Sequence, residues 1–349
     1  MKNCIQINKR RIGPGYPVYV VAELSANHGQ DFKKAVEIIK AAKKSGADAV
    51  KIQTYTADTL TIDCDNKYFK IGKGTIWEGR TLYGLYGEAY TPWDWQPRLK
   101  IVAEKLGLDF FSTPFDPSSV EFLQKMKMPA YKVASFELVD LPLIRRIAKT
   151  GKPMIMSTGM ASLKEIGEAV KAARSAGCRQ LALLKCTSAY PANSSEMNLK
   201  TIPDMERKFG TVGGLSDHTL GSAVSVAAVS LGASIIEKHI TLSRKDPGPD
   251  SAFSLEPSEF KEMVDAIRTV EAALGKVNYA VSEKEAASRM FRRSLFVVAD
   301  VKAGEKFTAG NVRSIRPGHG LAPKYLDAVL GKKAKMDIPR GTPLQKKMF

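Results

Sequence analysis

Side chains able to do chemistry recur in one kind of place in this 349-residue sequence, at the ends of short β-branched runs. Glu23 lies near the end of VYVVAEL, and Lys51 and Gln53 close DAVKIQ. Ser112 with Thr113, Lys132 with Ser135, Ser157 with Thr158 and Lys185 with Ser188 follow the next runs. Ser216 with Asp217 and His218, and Glu237 with His239, complete the series. A buried polar group without a partner costs about 1–3 kcal/mol, so packing is a poor explanation for the same pattern at every end. Lysines acting as point charges and hydroxyls acting as directional donors suit a phosphate or carboxylate. The expected substrate is therefore an anion.

His218 and His239 end consecutive runs. If those runs are neighbouring strands, both imidazoles reach one divalent ion, with Glu23 or water completing its sphere. A proton carrier or a hydrogen-bonded core histidine is the competing role for each. His28 and His319 are weaker candidates. Lys51 or Lys132 offers a different chemistry, a Schiff base with a carbonyl substrate, if burial depresses the amine pKa; salt-bridging lysines are the plainer role.

The elements that must carry these residues alternate. Strands are read at 18–24, 48–53, 108–112, 130–135, 153–157, 180–185, 211–216 and 234–239. Helical periodicity lies at 32–45, 94–106, 117–127, 141–150, 162–176, 198–208, 219–231 and 257–273. Gly46, Gly107, Gly151, Gly177 and Gly232 follow helix ends, where a left-handed cap favours glycine. Eight alternations within residues 1–275 predict a (β/α)8 TIM barrel, whose typical size is about 250 residues. The competitor, an open doubly wound sheet, usually stops at about five or six strands. In a barrel all strand ends converge on the C-terminal face, the site of catalysis. An insertion at 54–91 with its flank holds Trp77, Tyr83, Tyr86, Tyr90, Trp93 and Trp95, which either form a satellite core or line a pocket. Residues 276–292 read as a linker. Residues 293–349 read as a small β module in which the turn at Asp300 is repeated at Asp337.

The formal charge is +17, and residues 290–349 hold 13 Lys or Arg against 4 Asp or Glu. These charges are dispersed among apolar residues, without the basic block or interleaved aromatics of a nucleic-acid surface. The expectation is no nucleic-acid partner, and a field that draws in small anions. No apolar run reaches a membrane span, and charges occupy the first fifteen residues, so neither membrane partner nor signal peptide is expected and the cytoplasm is the expected location. Cys4, Cys64, Cys178 and Cys186 are too few and scattered for a disulfide scaffold or zinc pair and read as free thiols.

The motifs AELSANHG, AVKIQTYT, FFSTPFD, YKVASFE, MSTGMA, KCTSAYP, GLSDHT, EKHI, GPDSAFSLEP and IRPGHG occur in order along nearly the whole chain. In this set the sequence resembles the sialic acid synthase family, most closely its pseudaminic acid branch. The resemblance implies a TIM barrel joined to a C-terminal antifreeze-like (SAF) domain. It also implies condensation of phosphoenolpyruvate with an amino-sugar, here a diacetamido-trideoxy hexose, to give a nonulosonic acid and phosphate. The alternatives within the family are N-acetylneuraminate and legionaminate synthesis. The implied cofactor is a divalent metal ion, Mn2+ or Mg2+, on His218 and His239. Lys51, Thr113, Lys132, Ser135, Ser157, Ser188 and Ser216 then grip phosphoenolpyruvate, although some family members carry an amide residue at the position of Ser188. Gln53, Tyr190 and Asp250 face the acceptor sugar and the reacting carbons, with Glu23 catalytic in proton transfer. Arg316 matches an arginine that closes the barrel of a second subunit, implying a domain-swapped homodimer. Two rivals stand outside this reading: a metal-free Schiff-base pyruvate aldolase on the same barrel, and a non-catalytic saccharide-binding protein.

Overall fold

The protein is described by a computed structural model covering residues 4–349. It forms two compact units that divide between Gly275 and Lys276.

The first unit opens with a hairpin of β1 (Ile5–Ile7) and β2 (Arg10–Ile12), in register Ile7 with Arg10. Its tight turn has Asn8 at φ 50°, a conformation asparagine tolerates better than most residues. Eight parallel strands then close into a barrel: β3 (Tyr19–Glu23), β4 (Ala49–Thr54), β5 (Asp109–Pro114), β6 (Tyr131–Val133), β7 (Met154–Ser157), β8 (Leu181–Cys186), β9 (Val212–Asp217) and β10 (Ile235–His239). β10 returns to pair with β3, setting His239 beside Glu23, and β3 sets Glu23 beside Lys51.

The surrounding helices are α1 (Phe32–Lys44), α2 (Ala57–Leu60), α3 (Leu82–Ala89), α4 (Gln96–Lys105), α5 (Pro117–Lys125), α6 (Leu141–Ala148), α7 (Leu163–Ser175), α8 (Thr201–Phe209), α9 (Ala223–Ser230) and α10 (Pro257–Leu274). Short α2 and α3 lie within the insertion after β4. Local chemistry starts the helices: Ser162 and Glu165 form a reciprocal capping box on α7, and Asp116 caps α5 ahead of Pro117. The helical reading at 219–231 starts late, at Ala223, because Thr219 turns back to bond Asp217 through both its amide and its hydroxyl.

Strand pleating divides the core in two. Outward side chains such as Val20, Ile52, Phe110, Leu183 and Ile236 pack beneath the helices. Inward ones, including Tyr19, Val21, Phe111, Ile155, Leu184 and Ile235, join Ile5, Ile7 and Ile12 of the hairpin, so the hairpin closes the N-terminal mouth. The sequence reading passed over this plug, whose strands are only three residues each. Gly214 is required inside the barrel, where a Cβ would come within 2.5 Å of Leu184 Cδ2.

The second unit begins in the segment read as a linker, part of which is helical: α11 (Glu283–Ser288) is started by a Ser282–Glu285 capping box. Beyond it β11 (Ser294–Val297) pairs with β12 (Val312–Ile315) over a core containing Leu295, Val301, Phe307 and Ile338. The two similar turns face one another. Val301 and Ile338 exchange backbone hydrogen bonds of 2.9 and 2.8 Å. Asp300 accepts from the amide of Arg340 and Asp337 from that of Ala303, each at 2.8 Å. Among the described residues no helix is long and apolar enough to cross a membrane.

Candidate active site

The register of the barrel brings most of the polar strand ends into one cup, but the pleat sends the rest away. Ser112 bonds Thr54 and the Ile52 carbonyl, Thr158 bonds the Leu184 carbonyl, and Asp217 faces α9, all on the outer surface of the strands. Lys185 likewise turns out, donating to the Cys186 carbonyl and to Thr187. The expectation that these four share the bowl is therefore corrected by the two-residue period of a strand.

Inside the cup the charges interlock. Lys51 Nζ lies 2.6 Å from Glu23 Oε2 and 3.7 Å from Glu237 Oε1, and donates to Thr113 Oγ1 at 3.1 Å. Lys132 Nζ lies 3.5 Å from the same Glu237 oxygen and donates to Ser157 Oγ at 2.6 Å. Ser216 Oγ donates to Glu237 at 3.3 Å. Burial pulls Lys51 down, but Glu23 and Glu237 overcome it and hold the ammonium above its usual range. For Lys132 burial prevails and the amine is lowered, with Glu237 opposing. Burial raises Glu23, against the pull of Lys51. Burial also pushes Glu237 up, yet Lys132, Lys51 and His218 together bring it below the usual carboxylate range.

An anion cradle adjoins the lysines. The Gly159 amide donates to Ser135 Oγ at 3.1 Å, and a Cβ at Gly159 would stand 2.7 Å from Ser135 Oγ and 2.2 Å from Ser188 Oγ. Glycine there lets two hydroxyls close on the backbone. Gln53 Nε2 donates to Glu23 Oε1 at 3.1 Å and to Ser25 Oγ at 2.9 Å, and Ser25 donates in turn to Asp250. Gln53 and Asp250 are thus tied to Glu23 in one chain.

The two histidines face each other, ring centroids 5.3 Å apart. His218 Nδ1 lies 3.1 Å from the Thr187 carbonyl, which places its proton there and leaves Nε2 with a free lone pair. His239 Nδ1 is buried without a partner. Among the described residues no three His, Cys, Asp or Glu side chains gather into a closed cage. Two imidazoles, one oriented and one with an orphaned nitrogen, fit a divalent ion whose remaining positions are open to substrate or water. Tyr190 stands 4.5 Å from His218, and Phe253 5.0 Å from His239, giving this side an aromatic wall. His28 is elsewhere, buried against Thr91 and Trp95. Arg316 is exposed in the second unit.

The family is decided by comparison of the whole chain with known proteins. The NeuB family profile matches residues 38–279, and the SAF domain profile matches residues 292–349. The chain belongs to the NeuB family. A pseudaminic acid synthase of Campylobacter jejuni is 46% identical to this NeuB-family chain over 95% of it and 96% of the relative. An N,N'-diacetyllegionaminic acid synthase of Legionella pneumophila is 35% identical over 95% and 94%. The crystal structure of the spore coat polysaccharide biosynthesis protein SpsE of Bacillus subtilis superposes with a TM-score of 0.68 at 33% identity, covering 99% of this chain and 98% of that one.

Two groups not assigned a role from sequence stand out in this NeuB-family barrel. Glu237 bridges both lysines, and its inward parity with His239 two residues on was the available signal. Glu137, in the loop after β6, has a buried unpartnered Oε2, and burial pushes its carboxyl up to about 7. Only its place in the YKVASFE motif marked it. The cysteines are free thiols. The aromatic insertion divides: Trp93 packs on Phe122 and Trp95 on Phe32, whereas Trp77 stands against Tyr190.

Proposed function

We propose that this enzyme condenses phosphoenolpyruvate with a diacetamido-trideoxy hexose, yielding pseudaminic acid and phosphate. The observation that carries the reading is the union of two subsites on one barrel rim: a lysine–hydroxyl anion cradle, and a facing histidine pair with an aromatic wall. Glu23 lies between them, since β3 pairs with both β4 and β10. The higher identity to a pseudaminic than to a legionaminic acid synthase favours the pseudaminic acceptor.

Lys51 and Lys132 offset the charge of phosphoenolpyruvate, while Thr113, Ser135, Ser157, Ser188 and Ser216 fix its orientation, Ser135 being held in turn by the Gly159 amide. The methylene carbon then forms a bond to the sugar aldehyde carbon, whose carbonyl π pair moves to its oxygen as an alkoxide that is protonated from the water added next, leaving an oxocarbenium centre at the former enol carbon. Water adds there, and Glu23, positioned by Lys51 and Gln53, takes its proton. Collapse breaks the carbon–oxygen bond and phosphate leaves. A divalent ion held by His218 and His239 would supply Lewis-acid polarisation of the aldehyde.

The rim exposes Phe136, Met160 and Leu220 at 58, 63 and 59%, an apolar set suited to a protein partner. A second copy whose Arg316 reaches this rim, in a domain-swapped homodimer, fits it. The cytoplasm is the location proposed for such biosynthesis.

A second reading keeps one observation: Lys132 is the amine that burial moves toward neutrality, as a Schiff-base aldolase requires. One experiment separates the two. The purified protein is incubated with phosphoenolpyruvate, Mn2+ and a panel of acceptor sugars, and phosphate is measured. Release with the trideoxy acceptor, abolished by chelator, is expected. Absence of phosphate with every sugar, or borohydride trapping of pyruvate with chelator-resistant activity, overturns the proposal.

A further inference from the structure

Between Gly72 and Gly79 the insertion is exposed except at one side chain, Trp77, which is half-buried. Its indole Nε1 donates to the Pro249 carbonyl at 3.1 Å, one residue before Asp250. Its ring lies 5.5 Å from Tyr190, and Tyr190 lies 4.5 Å from His218. The histidine pair, Tyr190 and Trp77 therefore form one aromatic row that begins at the reacting end of the site. Other aromatics around the insertion have structural partners, Tyr86 on Tyr55 and Tyr55 on Phe115 among them.

We infer that Trp77 is a specificity-determining residue, one that selects acceptor sugars ending in a methyl group over those ending in a hydroxymethyl group. The inference rests on the sugar-condensing reading above. With the aldehyde carbon at the histidine pair, the five carbon–carbon bonds of an open-chain hexose, about 1.5 Å each, span roughly 6 Å. The row from His218 through Tyr190 to Trp77 proceeds in steps of 4.5 and 5.5 Å, so a chain of that span leaves its last carbon no more than about 4 Å short of the indole, within van der Waals contact. There a methyl group finds an apolar face. A hydroxyl finds no donor on the indole, whose one N–H is already given to Pro249, so that face offers nothing in place of its lost water.

The test compares two diacetamido hexoses that differ only in a methyl or hydroxymethyl group at the last carbon. Wild-type enzyme is expected to favour the methyl sugar by about 10- to 100-fold in kcat/KM, the range one small group commands in a pocket. In Trp77→Ala that ratio should fall by about tenfold or more, with the KM for phosphoenolpyruvate little changed. Trp77→Phe, which keeps an apolar ring and loses the bond to Pro249, should retain most of the preference. If Trp77 only anchors the loop, both sugars lose equally in Trp77→Ala and Trp77→Phe behaves the same; that result overturns the inference. If wild-type enzyme releases no phosphate with either sugar, the condensation reading fails. Calorimetric binding of the same two sugars to wild type and Trp77→Ala then decides the role of Trp77, an equal preference in both proteins refuting it.

Discussion

Removing one member of the Asp217–Lys238 pair should loosen the two strands that present the histidines. The ion pair is 2.8 Å long and both side chains are 0% exposed, on the outer face of β9 and β10. Each residue immediately precedes a histidine of the site, so the pair clamps the wall from behind. Asp217 also accepts from Thr219 N at 2.9 Å, Thr219 Oγ1 at 2.8 Å and Ser225 Oγ at 2.7 Å. Breaking a buried pair typically costs about 3–5 kcal/mol. In Lys238→Met the carboxylate keeps three donors, which places the cost near the lower end, about 3 kcal/mol. For a domain of this size that is a fall of roughly 5 °C in Tm. In Asp217→Asn the ammonium escapes part of its penalty by losing its proton, since burial already lowers Lys238. The double variant Asp217→Asn/Lys238→Met removes both charges while the amide still serves Thr219 and Ser225. It should recover to within about 1 kcal/mol of wild type, about 2 kcal/mol better than Lys238→Met alone, so the two losses are far from additive. Thermal unfolding followed by circular dichroism, with Mn2+ titration by electron paramagnetic resonance, checks both halves. The single variants should bind Mn2+ about tenfold more weakly, about 1.4 kcal/mol, and the double variant should regain most of it. Strict additivity of the two singles, or a single variant with unchanged Tm and Mn2+ affinity, refutes the reasoning.

Two further outcomes follow from the cup itself. Glu23→Gln should lower kcat at least about a hundredfold, while Lys51 keeps Glu237 as a partner and the fold survives; turnover near wild type in a steady-state phosphate assay would contradict the role given to Glu23. Glu137 is raised by burial from an ordinary 4.5 to about 7, so the folded chain holds that proton where the unfolded chain has released it. Its contribution to stability is therefore lost as pH rises from 4.5 to about 7, by up to about 3 kcal/mol. Glu137→Gln should flatten the dependence of Tm on pH across that window, and an unaltered slope would count against the assignment.

The alternation of strand and helix was legible because pleat and helix leave periods in the chain, and glycine marked helix ends such as Gly46 at φ 88°. Which strand-end residues face inward was legible only in part. Ser216, Asp217 and His218 are consecutive, yet the middle one points to α9 and its neighbours into the barrel; counting parity back from His218 and His239 would have set Asp217 apart from Ser216 and Glu237, but the strands of Lys51, Lys132 and Lys185 carry no such marker. The cradle at Gly159 left almost no trace, since it depends on two hydroxyls from different loops closing on a missing Cβ. Trp77 could not be told from Trp93 or Trp95 by composition, because all three differ only in what the folded loop sets against them.

The isoleucine plug at the N-terminal mouth makes the barrel a room with one door. Everything that enters or leaves passes the same threshold, so a sugar seated at the aromatic row stands in the path of whatever lies deeper. Traffic through such a room must be queued: the anion of the far wall arrives before the sugar, and the freed phosphate departs after the joined product.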